Sequence, residues 1–218
     1  MEDKLYPKGE LKMLLKTIYC KVEEEKKELF SKAQEKWQAI QHLDGFYGQF
    51  GGWYEDEACV FTLWEDRSAY QSFMNGAHDT IYLNSNQEDT FLSCEIELFQ
   101  TLYDITDMPL KDVVTDGAFV RVAICDVKQQ REKQFLHNQE EIWNKGMEKE
   151  KGMIGGVVGK SLKTENRYIV LTYWKDEMAH QTYVEEIFPE LYKLANIHED
   201  IEKVQGKQAV CKEEWLVY

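Results

Sequence analysis

Positive charge is scarce in this sequence, and so are long apolar runs and paired cysteines. Lys and Arg number 26 against 40 Asp and Glu, a formal net charge of −14. That imbalance disfavours non-specific binding to nucleic acid or to an anionic membrane surface. No apolar run approaches the ~20 residues that cross a bilayer, and Met1-Glu2-Asp3-Lys4 does not begin a signal peptide. Five cysteines with no CxxC pair argue against a disulfide framework and for a reducing compartment. HExxH, Cys/His ligand spacing and GxSxG are all missing, so zinc hydrolysis and serine hydrolysis have no support. What is present is 43% hydrophobic and 13% aromatic residues, the content of a chain that folds around a core. The expectation is a soluble, acidic, cytoplasmic protein with no metal, no cofactor and no nucleic-acid or membrane partner.

The chain repeats itself. Moved by 110 positions, residues 58–74 lie without a gap over 168–184. Val60, Thr62, Trp64, Asp66, Ala69 and Gln71 then meet Val170, Thr172, Trp174, Asp176, Ala179 and Gln181. Moved by 105, Cys20, Val22, Phe30, Gln34 and Glu35 meet Cys125, Val127, Phe135, Gln139 and Glu140, and a slide of 117 lays Cys94 on Cys211. These matches describe a tandem duplication. Its units are residues 1–104 and 118–218, with a linker over 105–117 that contains Pro109 and several acids.

Each unit reads as strand, helix, strand, strand, helix, strand. Leu14–Val22 is an apolar, β-branched run, and Phe30, Ala33, Trp37 and Ile40 then recur at helical spacing. Phe46–Tyr54 resumes as a strand with a Gly51-Gly52 bulge, and Glu55-Asp56-Glu57 turns into Ala58–Trp64. Asp66 is placed to cap a second helix whose inner row is Tyr70, Phe73, Ala77 and Ile81. Thr90–Phe99 alternates as the fourth strand. A βαββαβ unit is the ferredoxin-like arrangement, with both helices on one sheet face. Two copies in one chain cover each other's bare face. The fold class is therefore α+β: tandem ferredoxin-like repeats forming a single-chain, pseudo-dimeric α/β barrel that needs no second chain and stays a monomer.

Trp64-Glu65-Asp66 at a strand end, then a helix with His78 fourteen residues after the Trp, resembles the antibiotic-biosynthesis-monooxygenase superfamily of dimeric α/β barrels. The stretch of residues 21–53, ending in FYGQFGGW, is similar to the YdbC-like bacterial family of unknown function. The resemblance implies the barrel fold, and for activity either a small-molecule-binding protein or a cofactor-independent monooxygenase-like enzyme on an apolar, carbonyl-bearing substrate. Haem degradation is disfavoured. Superfamily members that perform it carry an Asn early on the first strand and a Trp in the second helix, whereas Leu14–Val22 has no Asn and the second helix offers Phe73 and Met74.

One cleft is expected, in the N-terminal half. His78 lies on the helical row of Tyr70 and Met74; it is either a base facing that cleft or a half-buried histidine bonded to its surroundings. Gln49 and Trp53, beside the Gly-Gly bulge, are candidates to orient a planar apolar ligand, with Trp64 and Tyr70 as further contacts. Packing accounts for the same residues, above all for Trp64, which the second copy repeats as Trp174. The cysteines fall on strands and read as small buried hydrophobes. GGVVGKS at Gly155–Ser161 is not a phosphate loop, because its glycines enclose three residues instead of four and the repeat places it on a strand.

Overall fold

The computed structural model describes residues 12–114 and 119–218. Expectations placed on 1–11 and 115–118, including the reading of Met1–Lys4 and the start of the second unit at Ala118, lie outside the described residues.

The apolar run at Leu14 becomes β1 (Leu14–Lys21). Its side chains alternate: Leu15 and Tyr19 enter a central core, while Leu14, Lys16, Ile18 and Cys20 face the opposite side. Helix α1 (Lys27–Glu35) continues into a tight turn over Lys36–Ile40, and Phe30, Ala33, Trp37 and Ile40 form their buried stripe. Strands β2 (Phe46–Tyr54) and β3 (Glu57–Trp64) make a hairpin. Asp66 caps α2 (Arg67–Asn75), accepting a hydrogen bond from the Ala69 amide at 2.8 Å. The single helix expected to run from Asp66 through His78 is broken: the chain turns at Gly76, and His78 opens α3 (His78–Ser85). Strand β4 (Ser93–Asp104) closes the unit.

The segment expected as a linker does more than connect. It carries α4 (Leu110–Val113), and Leu110, Val113 and Val114 are fully buried members of the central core. Tyr173 Oη donates to the Val114 carbonyl, while Asp107 and Asp112 keep the polar side outward. The second unit repeats the plan with β5 (Phe119–Val127), α5 (Glu132–Asn138), a π-helical turn (Gln139–Asn144), α6 (Lys145–Met147), β6 (Met153–Ser161), β7 (Arg167–Trp174), α7 (Glu177–Glu186), α8 (Phe188–Ala195) and β8 (Ile201–Cys211). GGVVGKS lies on β6, as its place in the repeat requires.

The strands close into one antiparallel barrel in the order β1-β3-β2-β8-β5-β7-β6-β4. This is the single-chain, pseudo-dimeric α/β barrel, with the helices of each unit packed on the outer face of its sheet and α4 packed into the central core. The edges of the two four-stranded units meet at β4–β6 and at β2–β8. The second joint pairs only Gly52 with Cys211 and Trp53 with Val210. A Cβ on Gly52 would stand 1.8 Å from the Val210 carbonyl oxygen, so the joint needs glycine there. Lys207 bonds Glu57 at 2.7 Å across one side of the barrel, and Arg167 reaches Glu97 at 3.3 Å across the other. The register corrects one repeat match. Cys20 pairs with Cys94 and Cys125 with Val204, so the counterpart of Cys94 is Val204 and not Cys211. One shared cysteine in two alternating apolar stretches does not set a register.

Candidate functional site

Each unit holds a cavity between the outer face of its sheet and its helices, so the expectation of one cleft in the N-terminal half is corrected. The N-terminal cavity has about 210 Å³, the C-terminal one about 530 Å³. The difference has a local cause. In the first unit Trp37 Nε1 donates to Gln87 Oε1 at 2.7 Å, and Gln87 Nε2 donates to Gln34 Oε1 at 3.0 Å. This buried chain of bonds holds side chains across the space.

In the second unit Ile197 stands 110 positions after Gln87 and has no amide to give. Gln139, the counterpart of Gln34, donates instead to Asn144 Oδ1 at 2.8 Å inside the π turn. A π turn adds a residue to the helix, so the tryptophan matching Trp37 is Trp143, 106 positions on. Trp143 packs against Phe188, the counterpart of His78, with ring centroids 5.4 Å apart.

Three of the five residues singled out by sequence line the N-terminal cavity: His78, Gln49 and Trp64. His78 Nδ1 lies 2.8 Å from Asp79 Oδ1, and its ring stacks on Tyr82 and tilts against Trp37. Gln49 is committed to the backbone, donating to the Trp215 carbonyl at 3.1 Å. Trp64 Nε1 donates to Thr62 Oγ1 at 3.1 Å, and Trp174 repeats the bond to Thr172 at 2.8 Å; in both units this bond within the strand fixes an indole that packs on the following helix, at Phe73 and at Tyr183. Trp53 and Tyr70 are not among the cavity's lining residues. Trp53 packs on Phe30 and Trp215 and donates to Ser31 Oγ. Tyr70 packs against Trp64 and Phe73, with the Lys16 ammonium over its ring at 5.4 Å.

The C-terminal cavity is walled by Phe119, Trp143, Trp174, Tyr183 and Phe188 and contains two basic side chains, Arg121 and His180. Arg121 comes from the middle of β5 and lies over Gly206, where an added Cβ would meet its Nη2 at 2.5 Å. Its Nη1 donates to the carbonyls of Lys207, at 2.9 Å, and Val122. Among the described residues no carboxylate pairs with it, and burial lowers its pKa. His180, on α7, is 8% exposed and lies between the rings of Phe119 and Trp174, at 5.0 and 5.2 Å. Burial, and then the Arg121 charge, pull its pKa down to about 4, so the imidazole is neutral at pH 7. A largely apolar chamber with one guanidinium that has no carboxylate partner and one neutral imidazole can orient a carbonyl or carboxylate group. A base this weak is poorly matched to proton abstraction at neutral pH.

Sequence reasoning missed Arg121, although a signal existed. The slide of 105 that aligns Cys20 with Cys125 also puts Lys16 on Arg121, a basic residue inside an apolar strand in both copies. Among the described residues no group of three or more His, Cys, Asp or Glu is placed to hold a metal ion, and no helix is long and apolar enough to cross a membrane.

Comparison with known proteins agrees with this architecture. The family model described as a domain of unknown function (DUF4937) matches residues 14–99, and the antibiotic biosynthesis monooxygenase model matches residues 118–186. The chain is 40% identical over 93 residues to the uncharacterised protein YdbC of Bacillus subtilis (strain 168), a match covering 40% of this chain and 78% of that protein. A candidate monooxygenase of Lactobacillus acidophilus NCFM superposes with a TM-score of 0.72 at 14% identity, covering 94% of this chain and 96% of that one. A candidate monooxygenase of Fusobacterium nucleatum superposes with a TM-score of 0.74 at 14% identity, over 93% and 94% of the two chains. At such identities these structures show a shared fold.

Proposed function

We propose, since this chain belongs to the YdbC-like family within the dimeric α/β-barrel superfamily, that it binds a small, largely apolar molecule carrying a carbonyl or carboxylate group. The site is the cavity of the second unit. The observation that carries this reading is Arg121: a guanidinium facing a chamber of about 530 Å³ with no carboxylate partner among the described residues. A charge in apolar surroundings whose only protein partners among the described residues are the backbone carbonyls of Lys207 and Val122 favours a ligand that supplies the missing negative charge. His180 offers the same ligand a neutral imidazole, and the aromatic walls take its apolar body.

Thermal unfolding against a panel of aromatic and aliphatic carboxylic acids and ketones tests the reading. A ligand at a hundred times its Kd stabilises the folded state by about 2.7 kcal/mol. The expected result is stabilisation of the wild-type protein by at least one panel member, lost in Arg121→Met. Equal stabilisation of Arg121→Met, or none of the wild type, overturns it.

A catalytic reading attaches to the smaller cavity. There His78, oriented by Asp79 at 2.8 Å, would take a proton from the carbon next to the carbonyl of an apolar substrate in a monooxygenase-like reaction, with Gln49 and Trp64 beside it. Oxygen uptake with a carbonyl substrate, abolished by His78→Ala, is the result that supports this second reading.

A further inference from the structure

The floor of the N-terminal cavity carries three side chains that no function discussed so far uses: Lys16, Cys20 and Cys94. Their placement follows from the β1–β4 register. Cys20 and Cys94 are directly opposed partners, and both point to the cavity side of the sheet. The Thr101 amide donates to the Met13 carbonyl at 2.9 Å, which marks the Met13–Thr101 pair as hydrogen-bonded. Hydrogen-bonded and non-hydrogen-bonded pairs alternate along an antiparallel ladder. Cys20 and Cys94 lie an odd number of steps further on, so theirs is a non-hydrogen-bonded pair. In such pairs the Cα atoms stand about 4.5 Å apart and the side chains are at their closest. That separation falls inside the range of about 4.4–6.8 Å that a disulfide spans. Lys16 projects from the same face of β1, four residues before Cys20. It is buried, and no carboxylate among the described residues pairs with it.

We propose that Cys20 and Cys94 are a reactive dithiol that exchanges with low-molecular-weight disulfides and closes reversibly into a cross-strand Cys20–Cys94 disulfide. Cys94 is the attacking residue because it is partly exposed while Cys20 is buried. The two surroundings agree with that order. A hydrogen bond from Cys20 lowers the pKa of the Cys94 thiol; burial opposes it, and the Lys16 ammonium adds a lesser lowering. The other three cysteines differ: burial pushes each of Cys59, Cys125 and Cys211 up to about 12.

With oxidised glutathione, the Cys94 thiolate attacks one sulfur, forms a mixed disulfide and expels a glutathione thiolate, which takes up the proton Cys94 lost. Cys20 then gives up its proton and attacks the Cys94 sulfur, releasing the second glutathione as a thiol. Two protein thiols are oxidised, and one glutathione disulfide is reduced to two thiols. Lys16 acts as a positioning residue that favours the thiolate.

The test treats the full chain with oxidised glutathione, blocks remaining thiols and maps linked peptides by mass spectrometry. The expected product is lighter than the reduced protein by about 2 Da, linked between Cys20 and Cys94, and reverts with dithiothreitol. In Cys20→Ser, Cys94 should instead retain glutathione, while Cys94→Ser should form neither product. Lys16→Met should slow the first step while leaving the linked product the same. No reaction at Cys94, a persistent mixed disulfide in the wild type, or linkage of another pair would each overturn the proposal. None of these results bears on ligand binding in the second unit.

Discussion

Replacing His180 with Phe should remove a specific part of the protein's sensitivity to acid. The native imidazole is caged by Phe119, Trp174 and Tyr183, and its pKa is about 4 against 6.5 for the free side chain. The folded state thus resists a proton that the unfolded chain accepts. The stabilisation that results is complete above pH 6.5, is lost progressively as the pH falls towards 4, and levels off below. At about 1.36 kcal/mol per tenfold, the full loss would be roughly 3 kcal/mol. Between about pH 7.5 and pH 4.5, with a discount for the ring edge that borders the open cavity, roughly 2 kcal/mol remains. Phe fits the cage without a titrating group, and the first unit already holds an aromatic residue, Tyr70, at the matching position. Urea unfolding of both proteins at the two pH values gives the double difference, in which the carboxylates common to both cancel. A fall in wild-type stability that exceeds the fall in His180→Phe by roughly 2 kcal/mol is expected. Equal falls in the two proteins would refute the buried, neutral imidazole and the electrostatics assigned to the cavity.

Gly52→Ala should cost about 3 kcal/mol or more in urea unfolding, because its Cβ would enter the Val210 carbonyl at 1.8 Å in the short β2–β8 joint. Leu110→Ala should cost about 2–5 kcal/mol as a fully buried core residue, whereas Asp112→Ala next to it should stay within about 0.5 kcal/mol; equal effects would return the segment to a plain linker. Asp66→Ala and Asp176→Ala should each cost about 1 kcal/mol and add in the double variant, since the two caps share no partner. Light scattering should report one chain of 25.8 kDa, because the second unit already supplies the sheet that a partner would bring.

What the sequence made legible was whatever the duplication preserved. Asp66 and Asp176 cap matching helices, and Trp64 and Trp174 bond matching threonines. Those pairs yield the ferredoxin-like units and, from them, the barrel. The cavities were illegible because their sizes depend on a few contacts that no periodicity records. One amide at Gln87 against Ile197, and one residue added by a π turn, decide which unit stays open. The helix break was hidden for a similar reason: apolar spacing continues through Gly76 from Phe73 to Ile81, although the backbone does not. The buried side chains of Ile105, Leu110, Val113 and Val114 escaped notice because Pro109 and the nearby acids dominate the composition of that stretch.

The central claim is that the open cavity of the second unit is the binding site. Its most direct test is a crystal structure of the protein with the panel compound that raises its melting temperature most. The compound should lie between Trp143, Trp174 and Phe188, with its carbonyl or carboxylate oxygen in hydrogen-bond contact with Arg121. Density for it against His78 in the first unit, or outside the barrel with the second cavity empty, would rule out the second unit as the binding site.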